Sequence, residues 1–382
     1  MSSIDVMSDT TGKNIVSQLE TQNILLTAIA GKDGGLPITD WESIRSIVRM
    51  GLAPKVFAIG DQLVCNHTTY GELAWDIIGF DHDVPVDDSK THSMTLQLHN
   101  VCDSFMYDAI EALYYAETEL AAGTYNFTLL TGYDTAYGGG KTYQFTLTKP
   151  VPAGGQITFP WGYQKQAVDT KISTYASKTS TTVIETVPVT EGSEGTALTN
   201  TNHTHRMRYG SNRWSQSAVR QWLNSSADTG AWWTPTNNYD RPSAQVASKA
   251  GFLKGLDSDF IAVIGAVKKR TALNTVTDGG GYEDLNEKMF LISRGEIYGG
   301  NENGIDEGSP YPYYSEFSQL SAPGTGVDGN RIKYQNNTAK YWWLRSCGSG
   351  NGYDVRSVYP TGGISYNGAY STCGVAPACN II

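Results

Sequence analysis

Charge is scarce in this 382-residue sequence. Asp, Glu, Lys and Arg together make up 17% of it, and the formal balance is -10. A chain so short of basic residues offers no face for phosphate, which excludes nucleic acid as a partner class. Long apolar runs are missing as well. None approaches the length of a membrane-spanning helix, so no membrane insertion is expected. The segment from Met1 to Gln22 is polar, lacks the basic-then-apolar order of a signal peptide and reads as a flexible leader. Cysteine is rare and odd in number. Cys65, Cys102, Cys347, Cys373 and Cys379 follow no spacing of a disulfide framework or a zinc site, so reduced thiols in a protein made in a cytoplasm are expected.

Motifs that carry chemistry are equally sparse. There is no Ser nucleophile elbow, phosphate loop or dinucleotide fingerprint. Gly279-Gly280-Gly281 lacks the Lys and Ser/Thr of a phosphate loop and reads as a turn. His203-Thr204-His205 offers two imidazoles with no third ligand at matching spacing. Asp81, Asp83, Asp87 and Asp88 lack the EF-hand spacing and read as a solvated acidic loop. Cys373 and Cys379 stand six positions apart, and two thiolates can hold a soft metal or form a redox pair. Two unrelated thiols is the preferred reading. Without a complete set of ligands or nucleophiles, the expectation is a protein with no enzymatic activity, no cofactor and no bound metal.

The sharpest absence is local. From Ser346 to Cys373 there is no Lys, Glu, Gln, Leu, Met, Phe or Trp. Gly, Ser, Asn, Asp, Thr and Tyr fill the stretch instead. That is the composition of a paratope, in which Tyr supplies amphipathic area at low entropic cost and Ser, Gly and Asn supply adaptable hydrogen bonds. The candidate ligand-binding residues are Cys347, Ser349, Asn351, Tyr353, Asp354, Arg356, Tyr359, Ser365, Tyr366, Asn367, Tyr370 and Ser371. A Gly-rich hairpin that merely closes a domain has the same composition. The flanks are rigid by contrast: Tyr341-Trp342-Trp343-Leu344-Arg345-Ser346 before and Gly374-Val375-Ala376-Pro377-Ala378 after. Of each Trp pair, Trp232-Trp233 and Trp342-Trp343, one ring is expected inside and one at the surface.

The 41 Gly and 23 Tyr residues point to a β-rich, loop-rich chain. After the apolar run Ile24 to Ile29, Thr39-Asp40-Trp41-Glu42 reads as a capping box. It precedes a helix that carries Ile44, Ile47 and Val48 and stops at Gly51. Strands are predicted at Lys55–Ile59, Leu63–Cys65, Leu73–Phe80 and Met94–Leu98, and a helix over Ser104–Ala121. From Gly123 to Thr196, short Thr-, Tyr- and Val-rich segments suggest an antiparallel β unit, with Glu191–Asn202 as a linker. Ser217 precedes an amphipathic helix with Ala218, Val219, Trp222 and Leu223, and Asp257 can cap another with Phe260, Ile261 and Ile264. Phe290–Ser293 reads as a buried strand, Gly299–Gln335 as a long polar loop, and Tyr353 onward as a hairpin turning at Pro360–Gly363.

Several blocks occur in a telling order: Arg213–Asn224, Gly251-Phe252-Leu253, Phe290–Ser293, Trp342–Ser346 and Gly374–Ala378. Together they resemble a C-type-lectin-fold domain family of bacteria and gut phages, in the branch shared with formylglycine-generating enzymes. The closing block departs from the usual Gly-Val-Arg-Pro-Ala, with Ala376 in place of the Arg. The resemblance implies an α+β fold: a C-type-lectin-like domain with an inserted antiparallel β unit. The expected division is a leader at 1–29, an N-terminal part at 30–120, the insert at 121–200 and the main domain at 201–382. Phage target proteins of diversity-generating retroelements carry their variable residues between matching blocks. The resemblance therefore implies a virion-associated receptor-binding protein. Its partners would be a host cell-surface protein or glycan, other virion proteins, and copies of itself in a homotrimer. It also supplies the alternatives. One is a copper oxidase, since formylglycine-generating enzymes use a C-terminal cysteine pair of different spacing. The other is a purely structural virion protein.

Overall fold

The computed structural model describes residues 40–108, 211–232, 243–275, 278–315, 329–348, 350 and 352–382. It also describes segments between 112 and 187 and a few single residues before 40. The expectations for Ile24–Ile29, Glu191–Asn202, His203, His205 and Trp233 lie outside the described residues.

Asp40 has an extended backbone, and its carboxylate accepts a hydrogen bond from the Ser43 amide (2.8 Å), starting the helix Trp41–Arg49. The cap is thus Asp40 rather than Thr39. Gly51, at φ +69°, follows the helix end as expected. The next segment corrects the expected strand at Lys55–Ile59. Ala53–Val56 is a short helix with Pro54 in its first turn, where a missing amide costs nothing.

The strands of the first half are β1 (Gln62–His67), β2 (Gly71–Phe80), β3 (Met94–Leu98) and β4 (Asp103–Met106). The strands that follow are β5 (Ala112–Ala116), which precedes the expected insert, and β6 (Gly123–Thr128), β7 (Thr142–Leu147), β8 (Gln156–Phe159), β9 (Ile172–Thr174), β10 (Thr181–Val183) and β11 (Glu185–Val187). They form two small sheets, ordered β10-β7-β6 and β11-β8-β5-β9. Pairing is antiparallel except that β10 joins β7 in parallel, which corrects a wholly antiparallel insert. The expected helix over Ser104–Ala121 is replaced by β4 and β5. Their partners lie far away in sequence, and pairing with them overrides the local helical spacing.

The second half contributes β12 (Ile264–Gly265), β13 (Val267–Ala272), β14 (Tyr282–Glu287) and β15 (Met289–Phe290). It continues with β16 (Lys333–Gln335), β17 (Thr338–Lys340) and β18 (Trp342–Cys347). The last four are β19 (Asp354–Val358), β20 (Ile364–Gly368), β21 (Thr372–Val375) and β22 (Ala378–Ile381). One sheet runs β1-β2-β3-β22-β12, with β15 also pairing β22, and a second runs β20-β19-β18-β21-β4. Both sheets are built from the two ends of the chain. β3 pairs with β22, and β4 pairs with β21. The ribbon leaves one sheet and enters the other at Ala376-Pro377. There the Leu98 amide donates to Pro377 O (2.9 Å) and the Cys102 amide to Val375 O (3.0 Å). With both α-helices and largely antiparallel sheets, the fold is α+β, as expected.

All five residues of β3 are buried, polar ones included. A strand between β2 and β22 is covered on both faces, so Thr95 and Gln97 need partners inside. The Thr95 hydroxyl lies within hydrogen-bond distance of Asp83 (3.0 Å) and Asn380 (2.9 Å), and Gln97 bonds Tyr314 and Ala376 O. Around the sheets, Trp41, Phe260 and Trp75 form one aromatic group, and Trp222, Phe105 and Phe252 form another.

Three further segments differ from expectation. Asp257 stands at a helix N-terminus, but its carboxylate accepts from the Asn66 amide of β1 (2.9 Å) instead of capping. Ile264 has left that helix and belongs to β12. Of the expected strand Phe290–Ser293, only Phe290 pairs. Ser293 instead opens the helix Arg294–Tyr298 through a capping box with Glu296. The stretch Gly299–Gln335 is no uniform polar loop, since it buries Glu302, Glu307, Tyr311, Tyr314, Arg331 and Lys333.

Candidate functional site

The frame of the candidate site is β18, with every residue buried. Trp342 and Trp343 are both inside, which corrects the expectation of one exposed ring. Each indole finds an acceptor, Nε1 of Trp342 on Arg331 O and Nε1 of Trp343 on Phe105 O (both 2.9 Å). Arg345 is buried, and both of its terminal nitrogens are engaged. It makes a two-pronged pair with Glu296 and donates to the carbonyls of Leu291, Arg270 and Glu307. Glu296 also accepts from Lys269 (2.8 Å), whose ammonium reaches Asp83 and the Tyr311 hydroxyl. Asp83 is therefore a buried member of an ionic network and not part of a solvated loop. Burial alone would raise its pKa, but Lys269 and the surrounding hydrogen bonds hold it well below the usual carboxylate range.

Glu307 belongs to the same network. It accepts from the Ala272 amide (2.8 Å) and from Ser346 Oγ. Burial pushes its pKa up to about 7, against the opposing pull of Arg345 and these hydrogen bonds. The network fastens β13, the Arg294–Tyr298 helix and β18 into one block.

On that block sits the hairpin of β19 and β20, joined by a turn with Gly362 at φ +87°. The turn falls where the sequence places it. Alternation along each strand divides the predicted residues between two faces. Arg356 lies opposite Tyr366 and Asp354 opposite Gly368, on one face. Ser365 and Asn367 lie on the other, with Ser357 and Val355. The structure does not bring the described residues among the twelve together as one patch.

The first face has the stronger chemistry. Arg356 is clamped by both oxygens of buried Glu302 (2.8 Å each), and its guanidinium stands 5.5 Å from the Tyr366 ring centroid. Burial works against the Arg356 charge, but Glu302 outweighs it and raises the pKa. Tyr366 is 55% exposed. On the second face, Asn367 donates to Ser357 Oγ (2.9 Å), and Ser365 Oγ donates to the Tyr359 hydroxyl (3.1 Å). The Tyr359 ring packs 4.9 Å from that of Tyr341.

The remaining predicted residues have other places. Cys347 is 1% exposed, with its thiol donating to Ala272 O (3.2 Å), so it belongs to the frame and not to the surface. Tyr353 is partly exposed, and its carbonyl accepts from the Ala369 amide (2.8 Å). Tyr370 is partly exposed and lies over Gly368, where an added Cβ would come within 2.3 Å of its ring. Ser371 is partly exposed, and its amide donates to Gly368 O (2.7 Å). Ser349 and Asn351 lie outside the described residues. The loop they belong to is pinned at its base by buried Asn212, whose side chain donates to Asp354 O (3.0 Å) and whose amide donates to Gly352 O (3.1 Å).

Sequence reasoning missed Glu302, which lies in a segment read as a polar loop, and Tyr341, exposed at the rim. It also missed the Ser293-Arg294-Gly295-Glu296 capping box, although the Ser-x-x-Glu spacing was there to be read.

The cysteine pair weighed above does not meet. Cys373 is in β21 and Cys379 in β22, in different sheets. Both are buried and free. Burial pushes the Cys373 thiol up to about 12 and Cys379 well above its ordinary value. Neither has the lowered pKa of a reactive thiol. Among the described residues, no group of three His, Cys, Asp or Glu side chains is placed to hold a metal ion, and no helix is long and apolar enough to cross a membrane.

Comparison with known proteins adds one family assignment. A family model described as a domain of unknown function (DUF6273) matches residues 179–382. No curated protein and no solved structure matches.

Proposed function

The chain belongs to the DUF6273 family, and we propose that this member is a non-catalytic recognition protein that presents the Asp354–Arg356–Tyr366 face of its β19–β20 hairpin to a macromolecular ligand. The observation that carries the reading is the arrangement at Tyr366. A largely exposed aromatic ring stands beside a guanidinium whose orientation is fixed by a buried carboxylate, on a strand backed by a fully buried neighbour. Rigid aromatic anchors and Arg are the residues that dominate binding energy at interfaces. A pre-oriented Arg loses less entropy when it engages a partner.

The setting follows from the resemblance in the sequence. The protein would be carried on a phage or prophage particle, with other virion proteins as neighbours and a host cell-surface protein or glycan as ligand. The Ser-, Gly-, Asn- and Tyr-rich composition between the two frame blocks is what a retroelement-diversified surface would have. A trimer would multiply weak individual sites by avidity. A mass near 41.5 kDa in light scattering at micromolar concentration would remove the trimer from this reading.

Tyr366→Ala is the clean test. Among the described residues its hydroxyl makes no hydrogen bond, and Arg356 beside its ring is held by Glu302 without it, so the variant should melt within a few degrees of wild type. Binding of the labelled protein to host cells should fall at least tenfold. Full retention of binding by Tyr366→Ala overturns the choice of this face. Arg356→Ala is a poorer probe, because it strips buried Glu302 of its closest cation and should itself destabilise by about 1–3 kcal/mol.

A further inference from the structure

A separate cavity of about 570 Å³ opens at the far edge of the hairpin's sheet, beyond β18 and β21. Its walls come from the β1–β2 turn, the 98–103 segment that links β3 to β4, and the β16–β17 hairpin. Its volume falls in the range of small-molecule sites.

The walls are held before any ligand arrives. Lys333 is buried beneath them, and its ammonium donates to Leu98 O (2.6 Å) and His99 O (3.0 Å). The Tyr334 amide donates to Asn100 Oδ1 (2.9 Å), and the Val101 amide donates to Tyr334 O (3.2 Å). Ser104 Oγ donates to Gln335 Oε1 (2.9 Å). Asn336 and Asn337 form the two-residue hairpin turn, at φ +51° and +60°, a conformation that Asn tolerates better than most residues. These contacts use backbone groups and one side of each amide. Left over around the cavity are the Nδ2 of Asn100, the Nε2 of Gln335 and the side chains of Glu72, Asn336 and Asn337, which make no hydrogen bond among the described residues.

The lining also defines what would fit. Tyr334 is 43% exposed and offers a ring face. Around it stand amides, which both donate and accept. The carboxylate of Glu72 repels anions, while that of Asp103 is balanced by Lys249. Neither nearby ammonium is available to an anion, since Lys249 pairs with Asp103 (2.9 Å) and Lys333 lies under the wall. Alternating donors and acceptors around an aromatic platform match a ligand with many hydroxyls, a C–H face and no charge. We propose that this cavity binds an uncharged saccharide, independently of the hairpin face.

The test uses the full chain and saturation-transfer NMR, followed by calorimetry. The probes are neutral oligosaccharides (gluco-, manno- and galacto-configured) alongside uronic-acid and sialylated counterparts. At least one neutral saccharide should bind. Tyr334→Ala should weaken it tenfold or more, Tyr334→Phe should preserve it, and Tyr366→Ala should leave it unchanged. Among the described residues the Tyr334 side chain makes no hydrogen bond, so the Ala variant keeps the backbone contacts that hold the wall. Preferential binding of the acidic sugars, binding that follows Tyr366 instead of Tyr334, or no binding by any neutral probe overturns the proposal. Because the Tyr366 variant reports on the hairpin face alone, loss of either site leaves the other reading standing.

Discussion

Glu307 shows how one buried side chain couples the frame to pH. Arg345, Ser346 and the Ala272 amide face it, with Glu302 and Cys347 nearby. Its folded pKa of about 7 lies above the unfolded value of 4.5. Between those values the folded state binds the extra proton, so this group's contribution to stability is fully present below about 4.5 and is lost as pH rises through 7. The size is at most about 3–4 kcal/mol. His67 has the opposite sense, because burial lowers its pKa and makes its contribution rise with pH below 6.5. The measurement is therefore a difference. Chemical denaturation of wild type and Glu307→Gln from pH 4.5 to 8 should give curves that converge at low pH and part toward neutrality, with the variant gaining. A constant offset across the range would show that Glu307 titrates normally.

At the scale of an element, Gly374 decides how closely the crossing ribbon can approach the frame. In parallel register with Trp342, it has no room for a side chain. An added Cβ would lie 2.4 Å from Val101 Cγ1 and 3.1 Å from Tyr341 O. Gly374→Ala must displace Val101, which packs over it from the segment between β3 and β4, and overpacking of this kind costs about 1–3 kcal/mol. Thermal unfolding should show the loss, while the folded fraction still binds cells through Tyr366. Loss of binding at unchanged stability would place the ribbon inside the recognition surface.

On the scale of the whole molecule, the two ends of the chain fold only together. β21 and β22 take β4 and β3 as partners, and β3 lies between β2 and β22. The fragment 201–382, though it covers nearly all of the family match, should be unfolded by circular dichroism and amide exchange. Adding residues 40–108 as a second chain should restore dispersion and protection. A folded isolated fragment would mean that the N-terminal strands are an accessory layer. Such non-local pairing also predicts slow folding.

The sequence by itself determined whatever is decided within a few residues. The helix at Trp41–Arg49, the Ser217-capped helix at Ala218–Leu223, β2 and the hairpin turn at Gly362 all have local signals, and each is where the pattern puts it. The burial of Trp342, Leu344 and Val375 likewise follows from their apolar strands. Tertiary structure decided the rest. The segment after Asp103 became a strand because β21 offered it a ladder, and Asp83 became a buried ion because Lys269 came to it from 186 positions away. Alternation on β19 and β20 sent Tyr366 to one face and Asn367 to the other, although composition made them equivalent. Composition carries no face, because the side to which a residue points depends on strand register. The turn fixes the register of this hairpin, but which of its two faces stays exposed depends on what it packs against once the chain has folded, here β18 and Glu302.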